Sequence, residues 1–429
     1  MRFFLLWLVS SHLFITNLAW ANIAQSSNLD SINQDVIKWR RHLHQYPELS
    51  NREYKTAEYI AAHLRKLGLE VQTGVAHTGV VAKLVGAKPG PLIALRADMD
   101  ALPVTEQVAL PFASKQVAEY RGKEVGVMHA CGHDTHVAIL MGVATLLAQQ
   151  QSQLSGSVMF IFQPAEEGAP EEEEGGAQLM LKEGIFAAQK PEAIFGLHAT
   201  SRLKVGQIGY RSGPMMASED SFSIIVQGKQ THGSRPWRGI DPIVTAAQII
   251  MSAQTIASRQ VDVTKAPSVL SFGAINGGVR SNIIPDQVEL IGTIRTFDQT
   301  MRADIKQRLE KTTSLVAQSA GATATTKINS GYPVTINNPQ LTKKMLPTLQ
   351  SLIGNDNLIE LDLITGAEDF SYYALETPGL FLMLGVTPKD KPLNEAASNH
   401  SPLFYVDEDA LAVGVSTLSN LALNYLNDR

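Results

Sequence analysis

Residues 135–150 read THVAILMGVATLLAQQ, a run without Asp, Glu, Lys or Arg whose apolar side chains fall on most helical faces. A helix with no polar stripe is one buried on every side, as against a sheet. Its flanks supply that sheet. VVAKLV (80–85) and PLIALRA (91–97) precede it, and SVMFIF (157–162) and AIFGL (193–197) follow, each a short apolar run of strand length. Upstream, INQDVIKWRRHLHQ (32–45) and EYKTAEYIAAHLRKLG (53–68) read as amphipathic helices, the first stopped by Pro47 and the second closed by Gly68. Strands alternating with helices predict an α/β domain, a mostly parallel central sheet flanked by helices. Asp134 stands where an N-cap of the buried helix is expected.

After RSGPMMASED (211–220) the pattern changes. SFSIIVQG (221–228) alternates like a half-solvated strand. A helix (241–258), two strands (268–275 and 287–297), a long charged helix (299–321) and a strand near 324–330 complete a βαββαβ series. That is the ferredoxin-like α+β arrangement. The expected organisation is therefore a catalytic domain in two parts, 30–212 and 329–429, interrupted by a lid at 213–328.

Arg2 followed by FFLLWLVSSHLFITNLAWA (3–21) predicts a signal peptide, residues 1–21, removed after Ala21. Export to the periplasm or extracellular space follows, with no stable membrane insertion after cleavage. With 36 basic and 41 acidic residues the chain has no cationic field for nucleic acid. Its one cysteine, Cys131, cannot form an internal disulfide. In an oxidising compartment a working thiol is better protected as a metal-bound thiolate than bare.

Open α/β sheets gather ligands beyond the carboxyl ends of their strands, and here those ends are polar. PLIALRA runs into Asp98 and Asp100, SVMFIF into Glu166 and Glu167, and AIFGL into His198. The segment MHACGHDTH (128–136) opens the buried helix. Thiolate, imidazole and carboxylate together suit a divalent transition metal. Adjacent Glu166 and Glu167 allow one carboxylate to hold metal while the other acts as a base. A Cys131–His133 nucleophile pair is the competing reading of the same segment.

LRADMDALP, HACGHDTH, FQPAEEG, FGLHA, GIDPI, SNIIPD, GAEDFS and NHSP occur in that order along the chain. In this the sequence resembles the metallo-amidohydrolases of the aminoacylase, hippurate hydrolase and indole-acetyl-amino-acid hydrolase group, relatives of the dinuclear carboxypeptidases. The resemblance implies two divalent ions, zinc or manganese before cobalt or nickel, held by Cys131, His133, Glu167, His198 and His400. It implies Glu166 as general base and acid, and a lid domain that pairs two copies. His232 matches a lid histidine that reaches an active site across such a dimer and stabilises the oxyanion. Asn282 matches a lid residue that contacts substrate, and Asp98 and Asp100 support the metal ligands from behind.

The lid turn departs from the family pattern at Ser234-Arg235-Pro236-Trp237-Arg238, and Arg280 is unusually charged. Arg235 and Arg280 thereby become candidates for a substrate carboxylate. The expected function is metal-dependent hydrolysis of N-acyl amino acids or similar small amides. A dipeptidase or carboxypeptidase on the same scaffold, or a non-catalytic binding protein, are the alternatives.

Overall fold

A computed structural model describes residues 28–427; the expected leader, 1–21, lies outside them. The chain divides into two compact units. One comprises the chain up to Tyr210, Lys343–Ile359 and the segment from Phe381 onward; the other comprises Arg211–Thr342 and Glu360–Leu380.

The first unit is built on an eight-stranded sheet. Its centre is parallel: Lys88–Asp98 lies between Ser155–Gln163 and Ala193–Lys204, parallel to both. The margins are antiparallel, Gly79–Val85 against Ser155–Gln163 on one side and Ile208–Tyr210 against Gly379–Thr387 on the other. Register places the chemistry. Asp98 stands opposite Gln163, and Arg96 opposite Gly196. Two residues beyond Arg96 and Gly196 come Asp98, at the end of its strand, and His198, which lies within Ala193–Lys204 rather than at the strand end expected for it.

The uncharged segment forms the helix His133–Gln149, buried along most of its length. The terminal helices Asn28–Gln45 and Asp409–Asn427 close on it at Gly142. There a Cβ would stand 2.7 Å from a methyl of Val36 and 3.0 Å from one of Val415.

The expected cap is corrected. The N-cap is Gly132, with φ 99°, and Asp134 lies inside the first turn. The backbone must turn sharply between Cys131 and His133, and glycine adopts that left-handed conformation without a Cβ penalty. A Cβ on Gly132 would also stand 2.9 Å from that of Ala199. Asp134 instead accepts hydrogen bonds from Arg40 Nε (2.8 Å) and His44 Nδ1 (2.9 Å).

The second unit has an antiparallel sheet in the order Ser268–Asn276, Gln287–Thr296, Asp220–Gln227, Thr323–Ser330. With the helices Pro242–Thr255 and Gln299–Ser319 this is the ferredoxin-like series expected. Asp241 and Asp298 cap those helices with their side chains. Phe222, Ile224, Ile249, Leu290, Ile305 and Leu309 form its core. Among the described residues no helix is long and apolar enough to cross a membrane.

Candidate metal centre

Cys131, His133, Glu166, Glu167, His198 and His400 all belong to the first unit and converge. Cys131, His133 and His198 have donor atoms within 4.8 Å of one another, and so do Cys131, Glu167 and His400. Cys131 Sγ lies 3.4 Å from His198 Nε2 and 3.3 Å from His400 Nε2. His400 Nε2 is 3.1 Å from Glu167 Oε1. The thiol is thus the corner shared by two donor triads.

Hydrogen bonds aim the imidazoles. His133 Nδ1 donates to the carbonyl of Asp100 (2.9 Å), and His198 Nδ1 donates to that of Ala199 (2.7 Å). A ring that donates from Nδ1 presents the lone pair of Nε2. His133 Nε2 is buried with no hydrogen-bond partner, an orphan that a cation would satisfy. His136 is different. Its Nδ1 faces Asp98 Oδ1 at 2.5 Å, and its Nε2 accepts the amide of Ala199 at 2.7 Å. Both nitrogens are engaged, so His136 braces the strand beside His198.

Asp100 is the hub beneath the carboxylates. Its Oδ1 accepts the amide of Glu166 (3.1 Å), and its Oδ2 accepts the amide of Glu167 (3.0 Å) and the hydroxyl of Ser50 (2.8 Å). Asp98, paired with Arg96 at 2.6 Å, supports His136. Backbone strain accompanies this order: Ala165 (φ 51°) and His400 (φ 70°), both non-glycine, are left-handed.

Electrostatics fits cations and disfavours a free nucleophile. Burial pushes the Cys131 thiol well above its ordinary range, and Glu167, Glu166 and Asp98 push it further. A reactive thiol needs the opposite shift, so the Cys131–His133 nucleophile is set aside. Burial opposes charge on His133, yet Asp98, Asp100 and Glu167 raise it to about 10. His198 is lowered to about 3, by burial first and then by His136. The residues present accordingly fit two divalent ions: excess carboxylate, a thiol that ionises only against a cation, and imidazole lone pairs aimed inward.

Residues 94–424 match peptidase family M20/M25/M40. The chain belongs to that family. It is 41% identical to thermostable carboxypeptidase 1 of Saccharolobus solfataricus over 94% of this chain and 98% of that one. It is 38% identical to an N-acetyl-L-cysteine deacetylase of Bacillus subtilis, over 90% of this chain and 86% of the other. Among solved structures, a Bacillus subtilis protein described as a dinuclear metal binding peptidase of the M20 family superposes with TM-score 0.77 and 35% identity. That match covers 93% of this chain and 99% of the other.

As an M20-family protein the chain is a metal-dependent hydrolase; LRADMDALP, HACGHDTH, FQPAEEG, FGLHA and NHSP carry the site just described, while GIDPI, SNIIPD and GAEDFS lie in the second unit. Sequence reading missed the supports. Asn399 donates from Nδ2 to the carbonyls of Cys131 (3.0 Å) and Ala199 (2.9 Å), tying the His400 loop to both neighbours. Glu53 accepts the amide of Ala165 (3.0 Å) and the hydroxyl of Thr78 (2.6 Å) under the glutamate turn. Burial first, then Asp100, raises Glu53 to about 8. Asn399 sits inside the NHSP motif and was findable; nothing local marks Glu53, which lies far from the turn in sequence.

His232, Asn282, Arg235 and Arg280 all belong to the second unit. Thr231–His232 pairs with Ile283–Ile284, which sets His232 beside Asn282. Arg235 and Arg280 are exposed and in no ion pair among the described residues. In the first unit a cavity of about 260 Å³ includes Glu167 in its wall, with Leu49, Leu102, Pro103 and Tyr120 beside the polar Ser50, Glu119 and Glu171. The cations at its rim are engaged, Arg52 with Glu173 (2.5 Å) and Arg121 with Glu171 (3.4 Å).

Proposed function

We propose that this M20-family enzyme hydrolyses the amide bond of N-acyl amino acids or similar small conjugates, releasing a carboxylic acid and an amino acid. The observation that carries the reading is Glu166. It is buried, and its Oε2 lies 3.9 Å from His133 Nε2 beside the two donor triads. Binding metal requires Glu167; it does not require a second buried carboxylate beside it.

Cys131, His133, Glu167, His198 and His400 would hold two divalent ions, which would supply acidification of water and polarisation of the scissile carbonyl. Glu166 takes the proton from the attacking water and delivers it to the departing nitrogen. His232 of one protomer donates to the developing oxyanion in the site of its partner. Asn282, Arg235 and Arg280 contact the substrate, the arginines its carboxylate. The acyl group enters the cavity beside Glu167, whose wall is part apolar and part polar.

Dimerisation through the lid is supported by its edge strand Ser268–Asn276, which leaves Val269 and Ile275 exposed. We place the mature enzyme outside the cytoplasm, on the strength of residues 1–21. A carboxypeptidase is the second reading, favoured by the identity to the Saccharolobus enzyme.

One assay separates these readings: amine release from N-acetyl, N-benzoyl and indole-acetyl amino acids and from peptides, metal-free and after adding zinc, manganese, cobalt or nickel. Metal-restored turnover of the acylated compounds is expected. Turnover of peptides alone would favour the carboxypeptidase, and folded, metal-loaded protein without turnover would overturn the enzyme reading. Fractionation of producing cells tests export, and sedimentation tests the dimer.

A further inference from the structure

The lid histidine is exposed, so burial does not decide how its ring is oriented or which nitrogen carries its hydrogen. Local bonds do. The amide of Ser234 lies 3.1 Å from His232 Nδ1, and the hydroxyl of Ser234 lies 2.8 Å from the same atom. A backbone N–H can only donate, so Nδ1 must present its lone pair. The hydroxyl then donates to that lone pair as well. A neutral imidazole carries one hydrogen, which is thereby placed on Nε2, the nitrogen turned away from the bend.

The backbone around the ring is held too. The amide of Gly233 donates to the carbonyl of Asn282 (2.8 Å), and that of Arg235 donates to the carbonyl of His232 (2.7 Å). A Cβ on Gly233 would stand 3.0–3.2 Å from the backbone of Asn282, so the two strands meet at close range.

We infer that Ser234 is a positioning residue of the hydrolytic reaction, its hydroxyl reinforcing the amide's hold on the form of His232 that offers Nε2–H to the oxyanion. The inference rests on the proposed role of His232. The other tautomer, or a rotated ring, would turn a lone pair toward developing negative charge and remove the donor. Ser234 thus acts through His232, and its effect belongs to the transition state. That is a loss in kcat with KM unchanged.

The test uses the full-length, metal-loaded enzyme with ¹⁵N-labelled histidine, as wild type, Ser234→Ala and Ser234→Thr. In wild type, Nδ1 of His232 should give a pyridine-type signal and Nε2 a pyrrole-type signal. Ser234→Ala should shift the Nδ1 signal and lower kcat roughly three- to tenfold, the share of one ordinary hydrogen bond. Ser234→Thr should restore both. In a His232→Ala background Ser234→Ala should cost nothing further.

A pyrrole-type Nδ1 in wild type would overturn the inference. So would an unchanged spectrum and kcat in Ser234→Ala, or an equal loss in the His232→Ala background. A kcat untouched by His232→Ala would overturn the oxyanion reading, and the positioning role with it, while the spectrum separately decides the tautomer.

Discussion

The metal centre and the lid turn place histidines by opposite means. Around Cys131 the rings of His133, His136 and His198 are packed by strand ends and a buried helix, and each is also bonded at Nδ1. At the lid turn His232 is exposed, and its ring is fixed by a residue two places along the chain. A buried, many-bonded site tolerates little change, because every loss strands a polar group away from water. An exposed turn can vary its neighbours cheaply.

The largest expected effect probes whether the buried site does chemistry at all. Glu166→Gln should lower kcat roughly 10²- to 10⁴-fold, the usual range for a general base, with metal content unchanged by elemental analysis. Preserved turnover would remove Glu166 from the chemistry and erase the contrast.

Next comes the support beneath it. Asp134 is buried; burial alone would raise its pKa, but Arg40 and His44 outweigh that and hold it below the carboxylate range. Asp134→Asn should destabilise the fold by up to roughly 3–5 kcal/mol at neutral pH, because the buried Arg40 loses the carboxylate that accepts its Nε hydrogen bond and keeps only the longer contact to Glu408 (3.5 Å). The sign follows from the depressed pKa: this stability is present above about pH 4 and is lost as pH falls through the folded value. His44 is raised, since Asp134 and Glu106 outweigh burial and the opposing charge of Arg40. Its contribution is complete below about pH 6.5 and is lost as pH rises past the raised value. Thermal melts of both proteins across pH should therefore converge on acidification; a constant gap would refute the assignment.

His232→Ala tests the exposed side. One oxyanion donor is worth roughly 10²- to 10³-fold in kcat, and metal stoichiometry should not change. Asp100→Asn should act more mildly. An amide has one accepting oxygen where the carboxylate has two, so the amides of Glu166 and Glu167 and the hydroxyl of Ser50 cannot all be satisfied. Metal affinity should fall roughly 10- to 100-fold in chelator competition. A weaker metal-affinity effect from Asp100→Asn than from His232→Ala would reverse the proposed division between the two regions.

Much of the fold was legible because periodicity and composition are local. The uncharged run at 135–150 declared a buried helix, and the βαββαβ series declared the sheet and helices of the second unit. The cap at Asp134 was misread for the same reason. An acidic residue before an apolar helix is ordinarily a cap, and the partners that draw it away, Arg40 and His44, lie in a distant helix. Glu53 under the glutamate turn was invisible on identical grounds.

The sequence alone determined which groups this protein brings to its chemistry. One cysteine, its carboxylates and its histidines narrowed the site to a thiolate-bearing metal centre or a Cys131–His133 nucleophile, because residue type sets donor softness and charge. Only the tertiary structure decided how each group is used. Strand register set His198 level with Asp98, and a left-handed glycine aimed Cys131 and His133 together. Hydrogen bonds from remote residues then chose the nitrogen that each ring presents. Donor identity is a property of the residue; donor direction is a property of what it is packed against.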